Sequence, residues 1–146
     1  MSEPPALPVT FRPKRTRAVL LGAGTVIFVV ITVIAFLLPT LSPGERASFV
    51  FTGALLFGVL LLLSRPKVVA DDSGVSVVNI ATSRRLAWAE IVQVTLRPGD
   101  PWVFLNLSDG TSLPALGIQP GIAREQAVTD AKALRALVDA RTPQGD

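Results

Sequence analysis

The sequence predicts a membrane-anchored α+β protein: a two-helix transmembrane hairpin, then a small antiparallel β-sheet or open barrel capped by a C-terminal helix. Three observations predict it. Two long charge-free runs, residues 18–38 and 47–64, concentrate the apolar share of a chain that is 49% hydrophobic and only 17% charged. Residues 68–113 then alternate in short runs broken by turn residues. Residues 123–141 change once more, to helical spacing.

Residues 1–17 form a basic N-terminal segment, with Arg12, Lys14, Arg15 and Arg17 against Glu3. The first span, residues 18–38, carries only Thr25 and Thr32 as polar side chains. At about 1.5 Å per residue it reaches the roughly 30 Å of a hydrocarbon core. Residues 39–46 hold Pro39, Pro43 and Gly44 and are too short to be anything but the loop of an antiparallel hairpin. Residues 47–64 are the second span, followed by Arg65 and Lys67. Glu45 and Arg46 cancel within the loop, so the cation bias puts both termini in the cytoplasm of a multi-pass protein of the cell inner (plasma) membrane. A cleaved leader fits poorly, because its apolar region would be too long and no small-x-small site follows it. Gly22, Gly24, Gly53 and Gly58 permit close helix packing, and the transmembrane helices offer a route to homo-oligomers.

The soluble domain spans residues 65–141, with residues 142–146 as a tail. Residues 68–70 form a short strand ended by the turn Asp71, Asp72, Ser73, Gly74; residues 75–80 and 85–89 follow, joined by a turn at 81–84. In residues 91–97, Val92, Val94 and Leu96 face one way while Gln93, Thr95 and Arg97 face the other. Residues 98–101 interrupt the pattern with two prolines, and residues 102–107 resume it. Asp109-Gly110 is the strongest hairpin turn in the chain, and Pro114 marks an edge after the strand at 111–113. The final helix sets Ala123, Ala127, Ala131, Leu134 and Val138 on one stripe and Arg124, Glu125, Lys132, Arg135 and Asp139 on the opposite arc.

Composition removes most chemistry. With no Cys and no His, thiol and imidazole catalysis, disulfide frameworks and nearly all transition-metal sites drop out. A nucleophilic serine would need Lys14, Lys67 or Lys132 as its base, and none stands in such a motif. Asp71 and Asp72 are adjacent, so they point apart and read as a solvated turn. No enzyme activity, cofactor or metal is expected. The net charge of +3 is also misleading, since from residue 68 onward seven cations face nine acids, a net of −2. The positive charge flanks the spans, which excludes nucleic acid and makes Arg12, Lys14, Arg15, Arg17, Arg65 and Lys67 candidate membrane-surface contacts. Trp88 reads as core. Trp102 and Phe104 fall on the face opposite Val103, Leu105 and Leu107, and with Arg97 and Asp100 they mark a candidate interaction surface.

This order of elements, with Leu86-x-Trp88-x-x-Ile91 on the third and fourth strands and Asp72-Ser73-Gly74-Val75 in the first hairpin, resembles the bacterial PH-like domains that follow a two-helix membrane anchor. Among these it is most similar to the actinobacterial low molecular weight protein antigen 6 group. The resemblance implies a PH-like sheet or barrel without catalytic residues. Two departures stand out: the domain looks shorter than a full seven-stranded PH fold, and its first hairpin is acidic where phosphoinositide-binding PH domains place lysines and arginines. The expected function is a non-enzymatic, membrane-tethered PH-like interaction module that binds a membrane or cytoplasmic protein at the cytoplasmic face. One alternative is a peripheral sensor of anionic lipid headgroups, using Arg65, Lys67, Arg84 and Arg85. A small transporter or pore subunit is weaker, because neither span carries an ionisable residue.

Overall fold

The computed structural model describes residues 4–141 and divides into two units, one of residues 16–64 and one that joins residues up to 15 with those from 65 onward. The first unit consists of two helices, α1 (Lys14–Leu37) and α2 (Pro43–Leu63), apart from the opening residues of α1. An aliphatic run without proline sustains α1, and the Thr25 hydroxyl is satisfied within the helix by the Leu21 carbonyl at 2.8 Å. Helix α2 starts on a capped turn: the Ser42 hydroxyl accepts from the Glu45 amide at 3.1 Å, with Pro43 at the first position. The loop is tied by Arg46, whose Nε donates to the Ala35 carbonyl at 2.8 Å and whose Nη2 donates to that of Leu38 at 3.2 Å, occupying acceptors that the end of α1 leaves open.

The two helices meet at Gly24 and Gly53. A Cβ on Gly24 would lie 3.0 Å from the Phe57 ring, and one on Gly53 would lie 3.2 Å from Phe28, whose ring centroid is 6.2 Å from that of Phe57. A Cβ on Gly22 or Gly58 would meet nothing within 4 Å, so within the chain this contact uses Gly24 and Gly53. Both helices are long and apolar enough to cross a membrane, and only 11% and 6% of their apolar stretches are buried. The core helix of a soluble protein would be mostly covered; here Phe36, Leu37 and Phe51 are each more than half exposed.

Among the described residues the second unit contains seven strands, a 3-10 turn and one α-helix. One sheet has the order β1 (Val9–Phe11), β2 (Lys67–Asp71), β3 (Gly74–Val78), β4 (Ser83–Leu86), and the other β5 (Ile91–Thr95), β6 (Val103–Leu107), β7 (Ser112–Ala115); every pairing is antiparallel. Alternation sends Val68, Ala70, Val75, Val77, Val103, Leu105 and Leu107 into a core closed by α3 (Arg124–Arg141) through Ala127, Ala131, Leu134, Leu137 and Val138. Buried Asn79 bridges the sheets: its Nδ2 donates to the Pro114 carbonyl at 2.8 Å and its Oδ1 accepts from the Leu116 amide at 3.0 Å. Next to it, Gly117 allows a close backbone approach, since a Cβ there would sit 2.5 Å from the Lys67 carbonyl carbon.

Strand β1 has no counterpart among the elements expected from sequence. It lies in the basic N-terminal segment, pairs Val9 with Ala70 and Phe11 with Val68, and supplies the seventh strand, so the expectation of a shortened PH fold is corrected. The strand expected at residues 85–89 is replaced by β4 and a 3-10 turn, Trp88–Glu90. That turn is held from both sides: the Glu90 carboxylate accepts from the Ala87 amide at 3.2 Å, and the buried Trp88 indole donates to the Asp71 carbonyl at 2.9 Å. In β5 the simple alternation also fails. A bulge between Ile91 and Gln93 turns Ile91 and Val94 inward and leaves Val92 64% exposed, so Val92, Val94 and Leu96 do not share a face. The Asp109-Gly110 turn forms as expected, with Gly110 at φ +88° and Asp109 accepting from the Thr111 amide at 2.9 Å. Residues 142–146, expected as a tail, lie outside the described residues.

Because Phe11 is almost fully buried, Phe11→Ala should destabilise the full chain by about 3–5 kcal/mol, as Trp88→Ala should. Chemical denaturation measures the loss, and hydrogen exchange should show β2 losing protection first; unaltered stability would mean that β1 is dispensable to the fold.

Candidate interaction face

The outer face of β5, β6 and β7 presents Gln93 and Thr95 from β5, Arg97 just beyond it, Phe104 and Asn106 from β6, and Ser112 from β7. Period two puts them there, since their strand neighbours Val94, Val103, Leu105 and Leu107 are core. The register brings Thr95 opposite Phe104, Gln93 opposite Asn106, and Asn106 opposite Ser112. Asn106 Nδ2 donates to Gln93 Oε1 and to Thr95 Oγ1, both at 3.2 Å, which fixes an amide and hydroxyl row beside the half-buried Phe104 ring. The six residues line a shallow depression of about 460 Å³. It offers hydrogen bonds, one aromatic surface and one cation, but no nucleophile beside a base.

Of the four residues expected on an interaction surface, Arg97 and Phe104 share this depression. Asp100 does not. Its carboxylate accepts from the Arg97 amide at 2.8 Å and lies 3.5 Å from Arg97 Nε, closing the loop after β5. Asp100 instead borders a second groove with Leu96, Arg124 and Val128, which Arg97 also touches. Trp102 is half-buried before β6, with an indole N–H that has no hydrogen-bond partner among the described residues. Gln93, Thr95, Asn106 and Ser112 are not singled out by the sequence. Their shared parity with Arg97 and Phe104 is the pattern that could have found them.

The cations that flank the two apolar helices are spread over several elements. The Arg12 carbonyl accepts from Gln126 Nε2 of α3 at 2.6 Å, Lys14 and Arg15 open α1 as exposed residues, and Arg17 is half-buried one position past Thr16. Arg65 Nη1 donates to the Ile80 carbonyl at 3.2 Å, and Lys67 pairs with Val78 in β2 and β3.

The first hairpin is not a bare acidic turn. Asp71 accepts from the Ser73 amide at 2.9 Å and from both terminal nitrogens of Arg85 at 2.7 and 2.9 Å, while Arg85 also donates to the Ser73 and Ser76 hydroxyls. The Arg85 guanidinium, helped by the Ser73 hydroxyl, holds the Asp71 carboxyl well below the usual carboxylate range, and Asp71 in turn raises Arg85. Asp72 is joined to Arg141 at the end of α3, 2.9 Å away. The Thr111 hydroxyl and amide lower Asp109, with a smaller contribution from the charge on Arg84. Burial raises Asp130, on α3. Among the described residues no cluster of three or more acidic, His or Cys side chains could hold a metal ion. A depressed folded-state pKa means that Asp71 supports the fold fully at neutral pH and loses that contribution as acid protonates it. Asp71→Asn should therefore lower the melting temperature of the full chain at pH 7, with the difference shrinking as the pH falls below about 4. A difference that persists unchanged in acid would show that charge is not its source.

Comparison with known proteins places this geometry. The family description "Bacterial PH domain" matches residues 65–137, half of the chain. Uncharacterized proteins of Mycobacterium tuberculosis and Mycobacterium bovis are 30% identical to it over 86 residues. The similarity covers 59% of this chain and 55% of each relative, so it spans only about half of their length. No solved structure matches significantly. With two antiparallel sheets closed by a C-terminal helix and a family match over half of its length, the chain belongs to the bacterial PH domain family.

Proposed function

We propose that the chain is a non-enzymatic, membrane-tethered PH-like interaction module. Helices α1 and α2 span the cell inner (plasma) membrane, both termini are cytoplasmic, and the outer face of β5–β7 binds a protein partner. The observation that carries the tethering is the pairing of β1 with β2, which stand on opposite sides of α1 and α2 in sequence. Two strands of one sheet occupy one compartment, so the helices cross a membrane twice or not at all. The bare apolar surface of both helices favours two crossings, and the flanking cations favour the cytoplasmic side for the sheets. Cleavage after α1 would strip β1 from the domain, which counts against a removable leader.

A protein partner is the better match for the face because its polar groups are amides and hydroxyls around one ring, with Arg97 as the single cation. The lipid-sensor reading loses force where Arg85 is engaged by Asp71, and a transporter reading finds no ionisable group in residues 18–38 or 47–64.

The absence of cysteine makes the topology directly testable. A membrane-impermeant maleimide should label Thr40→Cys on intact cells and Ala140→Cys only after lysis; the reverse pattern would overturn the orientation. A photocrosslinking residue at position 104 should then capture a protein in living cells, while the same residue at position 125 on α3 should not. Capture of lipid alone at position 104 would favour the headgroup sensor.

A further inference from the structure

We propose that the loop end of the helical hairpin holds one anionic phospholipid, its phosphate on Arg46 and one acyl chain in the groove beside α2. The inference rests on the membrane-spanning reading of α1 and α2 and adds a ligand at the turn between them. The groove, about 540 Å³, is walled by Phe36 of α1 and by Ala47, Val50, Phe51 and Ala54 of α2, with Arg46 as its charged lining residue. Phe36 and Phe51 are exposed, and so are the small side chains of Ala47 and Ala54.

Arg46 is held in place by uncharged groups. Its Nε and Nη2 donate to the carbonyls of Ala35, Leu38 and Leu41, at 2.8, 3.2 and 3.5 Å, and its guanidinium carbon lies 5.7 Å from the Phe36 ring centroid. Carbonyls and a ring face carry no net charge. No carboxylate pairs with Arg46 among the described residues, and its Nη1 makes no hydrogen bond there. A fixed guanidinium with an unused donor is suited to a phosphodiester oxygen, which accepts charge-assisted hydrogen bonds. From Ala47 to Ala54 the groove descends along α2 by about 10 Å, the depth an acyl chain would need to enter from the interface. The complementary molecule is therefore anionic at one end and apolar at the other.

A second copy of the chain is the rival occupant, since Ala47, Ala54 and Gly58 lie on one side of α2. Copies in one membrane share an orientation, so a two-fold pair across this groove would set two Arg46 cations at the same depth and close together. Their repulsion at an apolar boundary disfavours that pairing.

The test is native mass spectrometry of the full chain released from detergent with dioleoyl phosphatidylglycerol or dioleoyl phosphatidylcholine. One phosphatidylglycerol should be retained in preference to phosphatidylcholine, and Arg46→Gln should reduce that retention about tenfold, the loss of one charge-assisted contact. Arg46 also caps α1, so Ala54→Leu provides the independent variant: it fills the groove, leaves Arg46 in place and should give a similar loss. Equal retention of the two lipids, or indifference to Ala54→Leu, overturns the proposal. A dimer abolished by Ala54→Leu, with no lipid retained, overturns it in favour of a second copy. If Thr40→Cys is labelled on intact cells but no lipid is retained, this site alone fails; if Thr40→Cys is not reached, the spanning reading fails with it.

Discussion

The pairing of three residues, Val9–Phe11, with β2 constrains everything else in this chain. It makes the apolar hairpin an insertion between two paired strands of one sheet. Bringing such distant segments together would ordinarily cost loop-closure entropy, though this grows only logarithmically with loop length. Here the cost falls further, because α1 and α2 double back on one another through Gly24 and Gly53 and a loop tied by Arg46. Phe11 contributes buried ring surface, and the Gln126 bond to the Arg12 carbonyl ties the same segment to α3.

The sheet edges carry several features that block strand addition. Strand β7 carries Pro114, which has no amide to donate, and its carbonyl is taken by Asn79. On β5, the Val94 carbonyl is occupied by Arg135 of α3 at 3.0 and 3.3 Å. Edge strand β4 displays Arg84 and Arg85, and β1 is only three residues long. These are the devices by which edges avoid adventitious pairing, and together they make strand addition a poor docking mode. What remains open is a face, and the hydrogen-bonded row of Gln93, Thr95 and Asn106 keeps the outer surface of β5 and β6 ordered without covering Phe104.

Features with a long period or a strong local rule were legible from sequence. The two apolar helices, the Asp109-Gly110 turn and the α3 stripe each depend on many residues or on one steric requirement. Strand β1 was not legible because three residues between prolines and a basic run carry no periodicity, and their partner lies far along the chain. The bulge at Ile91 to Gln93 was hidden for another reason: Val92 is as apolar as Ile91 and Val94, so composition cannot reveal which valine is turned outward. In the candidate face, small polar residues on alternate strand positions look like ordinary solvent-facing sites. Only the registry of three strands brings Gln93, Asn106 and Ser112 side by side.

The charge of the acidic first hairpin depends on the partners its side chains find in the fold. Read alone, Asp71 and Asp72 repel a phosphate. In the folded domain each already faces an arginine, so their charge is largely balanced. Exposed ion pairs of this kind contribute little individually, and Arg85 could in principle exchange one anion for another. Yet that exchange would also release the Ser73 and Ser76 hydroxyls from Arg85 and leave the Asp71 carboxylate beside the incoming phosphate. The guanidinium that reaches Asp71 is thus already engaged from β4 with side chains of β2 and β3, and an incoming phosphate would have to compete with those contacts.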